Sequence, residues 1–297
     1  MKVLELFSGT HSIGKVCHDL GWEVVSLDRD LGNTSPFHDY RSDTHIKEDI
    51  MTWDYKKSYK IGEFDLITAS PVCLWWSKLR DTWIGRKLKS HGDKIITKEI
   101  LQEDIDKYGK PMVDKVFEII EYFKPQYWWI ENPKTGKMKN YIFEKYPQYD
   151  IFYDIDYCKY SDWGYQKRTR FWTNIKNFDP KICKKDCDNI LTIPTQEGAI
   201  HIGTKKPIKS STRTLHKNPI GNKDKAKVIH KVQVGMLSGN NIKKESKVHS
   251  HRMGMSKINK ERKKHMTDTS FVGGGSNRLF RYRIPEKFIQ ELLLCII

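Results

Sequence analysis

Val3-Leu4-Glu5-Leu6-Phe7-Ser8-Gly9-Thr10-His11-Ser12-Ile13-Gly14 is the stretch whose reading decides the fold. Val3–Phe7 is an apolar run of strand length, and Ser8 and Gly9 interrupt it. Apolar residues then return at helical spacing over Ile13–Leu20. A strand that passes through a glycine turn into a helix is the opening of a β-α-β unit. Gly9 and Gly14 permit a tight turn and close backbone approach, and the helix start offers free N–H groups. The spacing is not the G-x-G-x-x-G of dinucleotide sites.

The alternation continues outward from there. Trp22–Leu27 reads as a second strand ending at Asp28, and Asp49 follows a third. Phe64–Ala69 is a further strand. Met112, Val113, Val116, Phe117, Ile119, Ile120 and Phe123 form one helix face, which Pro125 ends. Tyr127–Ile130 is the next strand, and Ile151–Tyr157 with Thr169–Thr173 suits a closing antiparallel pair. Strands alternating with helices predict an α/β fold with a doubly wound, mostly parallel sheet over residues 1–175. At the far end, Ile284–Ile297 is helical again. Its face of Phe288, Ile289, Leu292 and Leu293 is expected to dock on the first domain.

The chain has 297 residues, 53 Lys and Arg against 37 Asp and Glu, and a net charge of +16. Residues 176–265 hold 22 of those basic residues and 7 acidic ones, so nearly all the excess falls there. That stretch is rich in Gly, Asn, Ser and Thr and poor in periodic apolar runs. It predicts a small, basic, loop-rich second domain over 176–270, with 271–297 returning to the first. Concentrated positive charge points to a polyanion, with nucleic acid first. No 18-residue apolar run exists, and the N-terminus reads as a strand, so neither a membrane span nor a secretory signal is expected. Six scattered cysteines fit reduced thiols. Cys183 and Cys187 have a permitted zinc spacing with His201 or His216, but no second pair is clearly spaced, and no metal is expected.

The candidate chemistry lies at strand ends. Ser70-Pro71-Val72-Cys73 follows Phe64–Ala69 and presents a thiol at the rim where open α/β sheets bind ligands. Glu131-Asn132-Pro133 follows Tyr127–Ile130. Gln166-Lys167-Arg168-Thr169-Arg170 leads into Phe171-Trp172, and 277–285 reads Asn-Arg-Leu-Phe-Arg-Tyr-Arg-Ile-Pro. Taken singly, each has a structural explanation: an inert core thiol, a strand-ending turn, an exposed edge.

Their joint order resembles the DNA (cytosine-5)-methyltransferases over residues 1–175 and about 271–297, with the basic segment where that family has its variable target-recognition region. The resemblance implies a Rossmann-like methyltransferase sheet and S-adenosylmethionine as cofactor. It would lie against Phe7, Ser8, Gly9, Thr10, His11, Ser12, Ile13, Gly14, Asp28, Asp49, Ser70 and Pro71. It implies Cys73 as the nucleophile at cytosine carbon 6, Glu131 as the proton donor at ring nitrogen 3, and Arg168 and Arg170 as holders of the base oxygen and adjoining phosphate. It also implies a flipped-out base and a mobile loop over 78–110, with Lys78, Arg80, Arg86, Lys87 and Lys89 near the nucleic acid.

One departure concerns the nucleophile itself. The family has Pro directly before the Cys, and here Val72 intervenes. Two other readings stay open: an RNA (tRNA) cytosine-5 methyltransferase, and a DNA-binding member that no longer methylates. The partner expected is double-stranded DNA, the chain a monomer, and the location cytoplasmic (prokaryotic or viral) or nuclear.

Overall fold

A computed structural model describes residues 1–35, 37–163, 166–194, 212–216 and 282–297, without the side chains of 191–194 and 212–216. Most of the basic segment, His201 and residues 277–281 lie outside the described residues, as does the side chain of His216. The chain divides into two compact units. One comprises Met1–Tyr160, Lys167–Ile182 and Tyr282–Ile297, the other Ser161–Gln166 and Cys183–Arg281. The boundaries read from composition were 175 and 270.

The first unit is built on a seven-stranded sheet of order β3-β2-β1-β4-β7-β9-β8. Its strands are β1 (Lys2–Leu6), β2 (Glu23–Leu27), β3 (Thr44–Ile46), β4 (Leu66–Ala69), β7 (Tyr127–Pro133), β8 (Phe152–Asp156) and β9 (Arg168–Thr173). The pairs from β3 through β7 are parallel, while β9 runs antiparallel to both β7 and β8. This is the doubly wound α/β sheet the alternation predicts. From Val3 onward β1, and all of β4, are buried on both faces, Glu5 and Thr68 included, because both sheet faces are covered. The strand order reverses between β1 and β4, and the crevice outside such a reversal is where these sheets bind ligands.

The helices are α1 (Ser12–Asp19), α2 (Tyr55–Ser58), α3 (Lys98–Asp104), α4 (Lys110–Phe123), α5 (Met138–Lys145) and α6 (Glu286–Leu293). In α4, Val113, Val116, Phe117, Ile119, Ile120 and Phe123 are buried, and Lys124 takes a left-handed φ of 51° before Pro125. The α6 face of Phe288, Ile289, Leu292 and Leu293 is buried, with the Phe288 ring 4.4 Å from that of Phe171. Each such side chain contributes about 1.5–3 kcal/mol on burial. The backbone N–H of Ile284 donates to Ser12 Oγ at 3.3 Å, which ties this segment to the first glycine turn.

Residues 78–110 are folded where the sequence suggested one long connection. A 3-10 turn (Lys78–Trp83) leads to a ribbon of β5 (Lys87–Leu88) and β6 (Lys94–Ile95), then α3 and a π turn (Ile105–Gly109). Arg80 organises this stretch and is 2% exposed, so it is not part of the basic surface it was expected to join. Its guanidinium lies between the rings of Trp75 (5.2 Å) and Trp83 (5.3 Å) and pairs with Asp104, which also meets His91 Nε2 at 3.0 Å. Trp75 stacks on Tyr108, and Trp76 is core, stacked on Tyr141.

In the second unit, β10 (Ile190–Pro194) pairs antiparallel with β11 (Thr212–His216). Lys185 N donates to Cys183 Sγ at 3.2 Å. Among the described residues no helix is long and apolar enough to cross a membrane.

Candidate active site

Cys73 follows β4 because Pro71 cannot continue a ladder and the chain turns at once. Trp76 N donates to Cys73 O at 3.2 Å and Ser77 N to Leu74 O at 3.3 Å. The turn is held from the next strand: Asn132 Nδ2 donates to Pro71 O at 3.0 Å, and Lys137 N to Trp76 O at 2.8 Å. Val72 and Leu74 point outward, 42% and 44% exposed, while Cys73 is half-buried.

Glu131 is 6% exposed near the end of β7. Its Oε1 accepts from Tyr157 Oη at 3.1 Å and from Lys167 Nζ at 3.3 Å. Burial pushes the Cys73 thiol up, the Glu131 carboxylate adds to this, and Lys167 draws it back; the net position is above the ordinary thiol value.

The two arginines stand elsewhere. The register sets Asn132 and Asp154 opposite Arg170, and Asp156 opposite Arg168. Arg168 is bidentate to Asp156 at 3.0 and 2.6 Å, and Arg170 to Asp154 at 2.8 and 2.9 Å. Arg170 also stacks 3.7 Å over Phe152 and is 6% exposed. Glu131 is paired with Phe171, so strand alternation places it on the other sheet face from both arginines. The structure therefore ties the residue after Glu131 to the turn that carries Cys73, and joins Arg168 and Arg170 to acidic partners on β8. Lys167 and Tyr157 were not singled out in the sequence, although the period of two in residues 166–170 separates Lys167 from the arginines.

The residues expected to hold S-adenosylmethionine follow the ends of β1 (Phe7–Gly14), β2 (Asp28), β3 (Asp49) and β4 (Ser70, Pro71). Phe7, Gly9 and His11 take left-handed φ values of 58°, 51° and 54°, which turns the chain tightly. Asp28 anchors this turn: Oδ2 accepts from Gly9 N at 3.0 Å, and Oδ1 from Asp30 N and Leu31 N, each at 2.9 Å. Buried Glu5 accepts from Ile13 N at 3.2 Å and so caps α1. An added Cβ on Gly14 would lie 2.7 Å from Glu5 Oε2 and 3.1 Å from the Tyr40 ring. His11 is fully buried and bonded through Nε2 to Gly32 O at 3.1 Å. Burial opposes its charged form, but Glu5, the Gly32 carbonyl and Asp28 together raise its pKa. Thr10 Oγ1 and Ser12 Oγ share a hydrogen bond at 2.8 Å. Asp49 Oδ1 accepts from Met51 N at 3.0 Å, and its Oδ2 meets Arg29 at 3.3 Å. Ser70 N donates to Leu6 O at 3.3 Å, which joins this turn to the one carrying Cys73.

These residues fit a polar cofactor. Ser8 Oγ is buried in the turn with no hydrogen-bond partner among the described residues, a vacancy a ligand can satisfy. Asp28 and Asp49 retain acceptor capacity at the ends of adjacent strands.

No protein-family model matches the chain. Solved structures with some likeness are a SAM dependent methyltransferase from Archaeoglobus fulgidus (15% identity, 44% of each chain, TM-score 0.27) and a mutant form of Spodoptera frugiperda DNMT2 (14% identity, 61% of this chain and 53% of that one, TM-score 0.35). A curated relative from Frog virus 3 (isolate Goorha), named "Probable DNA (cytosine-5)-methyltransferase", is 42% identical over 205 residues, which is 68% of this chain and 85% of the relative. At that identity and coverage the chain belongs to the DNA (cytosine-5)-methyltransferase family, whose methyl donor is S-adenosylmethionine.

Proposed function

We propose that the protein methylates carbon 5 of cytosine in double-stranded DNA, acting on a flipped-out base through a covalent adduct with Cys73. The observation that carries this reading is the hydrogen bond of 3.0 Å by which Asn132, next to Glu131, braces the Pro71 turn that carries Cys73. The family relationship supports it.

Cytosine carbon 5 is a weak nucleophile. The Cys73 thiolate adds to carbon 6, and carbon 5 then has enamine character. Glu131 hydrogen-bonds ring nitrogen 3 and gives it a proton as charge builds there. Bound S-adenosylmethionine supplies the electrophilic methyl group. The carbon-5 proton then passes to solvent water, the Cys73–carbon 6 bond breaks and the nitrogen-3 proton returns to Glu131, which restores the thiolate and the aromatic ring. Buried Glu131 needs the base to come to it, so the nucleotide leaves the stack. On the cofactor side, the 7–14 turn, Asp28, Asp49, Ser70 and Pro71 hold the donor. Arg168 and Arg170, joined to Asp156 and Asp154, brace the β8–β9 pair beside Glu131, and any contact they make with the base or phosphate requires those pairs to open. The basic segment 176–265 supplies phosphate contacts.

Bisulfite sequencing of DNA incubated with the protein and S-adenosylmethionine tests this, with tRNA as the competing substrate. DNA carrying 5-fluorocytosine is expected to form a denaturation-resistant adduct that Cys73→Ala abolishes. An unchanged adduct in that variant would remove Cys73 from the mechanism, and product only in tRNA would replace the substrate. Adduct and product both absent would favour a binding protein that does not methylate.

A further inference from the structure

His11 is fully buried in the glycine turn, at a left-handed φ of 54°. Its ring stands between two acceptors from distant parts of the chain. Nε2 lies 3.1 Å from the carbonyl of Gly32, and Nδ1 lies 3.7 Å from Oε2 of buried Glu5 on β1. Neither Nδ1 nor Oε2 has a hydrogen-bond partner among the described residues. A carbonyl and a carboxylate only accept, and a neutral imidazole has one N–H for the two of them. If Nε2 carries it, a bare Nδ1 faces the carboxylate; if Nδ1 carries it, Gly32 is released. The imidazolium, with an N–H at each nitrogen, serves both sides. Glu5 suits the pair, because its Oε1 takes the Ile13 N–H at 3.2 Å at the start of α1, where the helix dipole favours an anion. Gly32 belongs to the segment that begins at Asp28, so His11 ties that segment to the turn. The same segment meets the turn where Asp28 Oδ2 accepts from Gly9 N at 3.0 Å and where His38 Nε2 donates to Thr10 O at 3.0 Å.

We infer that His11 is a positioning residue for the methyl-donor site, held as an imidazolium that clamps the 28–32 segment onto the glycine turn, so that donor affinity falls when it loses its proton. The inference rests on the reading of that turn, with Asp28, as the donor site. Deprotonation breaks one N–H bond of the ring and sends the proton to water. What remains is a buried carboxylate opposite a bare nitrogen, or a Gly32 carbonyl freed from the turn. Burial opposes the charged ring, yet Glu5, the Gly32 carbonyl and Asp28 raise its pKa. The clamp is therefore complete below the ordinary histidine value of about 6.5 and is lost as pH climbs through the higher folded value. Glu5 and Asp28 supply the negative charge. The neighbouring groups with shifted titrations lie outside that window. His38 from the same segment, and His45 on β3 with its ring 5.7 Å from that of His11, are held below the ordinary value, chiefly by burial. Tyr40, its ring 6.1 Å from His11, is pushed up by burial and Glu5, and so is Cys17 on α1. Lys15 on α1 is also raised and is paired with Asp19 and with Glu286 of α6.

The test reads the donor site without DNA. Binding of S-adenosylhomocysteine is measured by calorimetry from about pH 7 to about pH 9, beside an NMR titration of the histidine rings in which the His11 signal is the one missing from His11→Asn. The wild-type affinity is expected to fall about three- to tenfold as pH rises. Bound S-adenosylhomocysteine should in turn move the His11 titration upward, because the linkage is reciprocal. Asparagine tolerates the left-handed backbone, so His11→Asn should keep the turn, bind about three- to tenfold more weakly at the low end and show no such fall. Glu5→Gln keeps the shape and removes the charge; it should lower the His11 titration and flatten the affinity profile. A histidine with a merely structural part would lose affinity on substitution but leave the wild-type profile flat. The wild-type profile and ring titration decide the matter if either variant fails to fold. A wild-type affinity unmoved across that range, or a His11 signal that titrates at or below the ordinary value, overturns the inference. A protein that binds no S-adenosylhomocysteine at any pH overturns the donor-site reading itself, whereas tight binding that ignores pH overturns only the part given to His11.

Discussion

The side-chain amide of Asn132 donates to the carbonyl of Pro71 at 3.0 Å, linking the residue after Glu131 to the turn that carries Cys73. Both partners are buried. Asn132→Ala strands the Pro71 carbonyl and is expected to cost about 1–3 kcal/mol. Urea titration reads that loss. The trapped adduct with 5-fluorocytosine should form more slowly than stability alone explains, because the turn loses its aim. Adduct formation at the wild-type rate would show that the brace is structural only.

Val72 stands where the family has proline, and the structure gives it little to lose. Its side chain is exposed, and its N–H makes no hydrogen bond among the described residues. Val72→Pro should therefore stabilise the fold by about 0.4–1 kcal/mol by restricting the unfolded chain. Methyl transfer should be equal or faster. A fall in both would mean that the backbone at residue 72 lies away from φ ≈ −65°.

Arg170 and Asp154 are expected to show in the acid limb of stability. Burial opposes the Asp154 carboxylate, yet hydrogen bonds from Arg170 and Lys134 hold its pKa below the ordinary value. A lowered carboxylate stabilises the fold above its unfolded pKa, and that contribution is lost as pH falls through the folded value. Arg170→Met leaves Asp154 with Lys134 alone and should cost about 3 kcal/mol at pH 7. The difference should shrink toward pH 3. A difference that is flat with pH, from parallel urea melts, would assign the loss to packing on Phe152.

Gly14 reports on the cofactor side. An added methyl meets Glu5 and Tyr40 inside normal contact distance, and Gly14→Ala should cost about 1–3 kcal/mol as both shift. Because Glu5 also caps α1 through Ile13 N, binding of S-adenosylhomocysteine by calorimetry should weaken in step. Wild-type affinity in a destabilised variant would detach the Glu5 cap from the cofactor turn.

The strands and the mostly parallel class of the sheet could be read from the sequence because buried parallel strands are written as local apolar runs, whereas the strand order could not. The first glycine turn, the Pro71–Cys73 turn and Glu131 fall at the ends of those runs, so they too were visible. The company of Arg168 and Arg170 was not. Asp154 and Asp156 carry the same spacing of two as the arginines, but only the β8–β9 register shows that the two pairs face each other. Residues 78–110 hid for a related reason. Arg80 meets Asp104 across 24 positions, and neither belongs to a periodic run. The position of Lys167 beside Glu131 was latent in strand alternation, masked by the more conspicuous arginines next to it.

The hydrogen bond from Ile284 to Ser12 spans 272 positions of chain. Residues 282–297 therefore belong to the unit that carries the glycine turn, and their removal would take away both the α6 face packed on Phe171 and the hydrogen bond that Ile284 N donates to Ser12 Oγ.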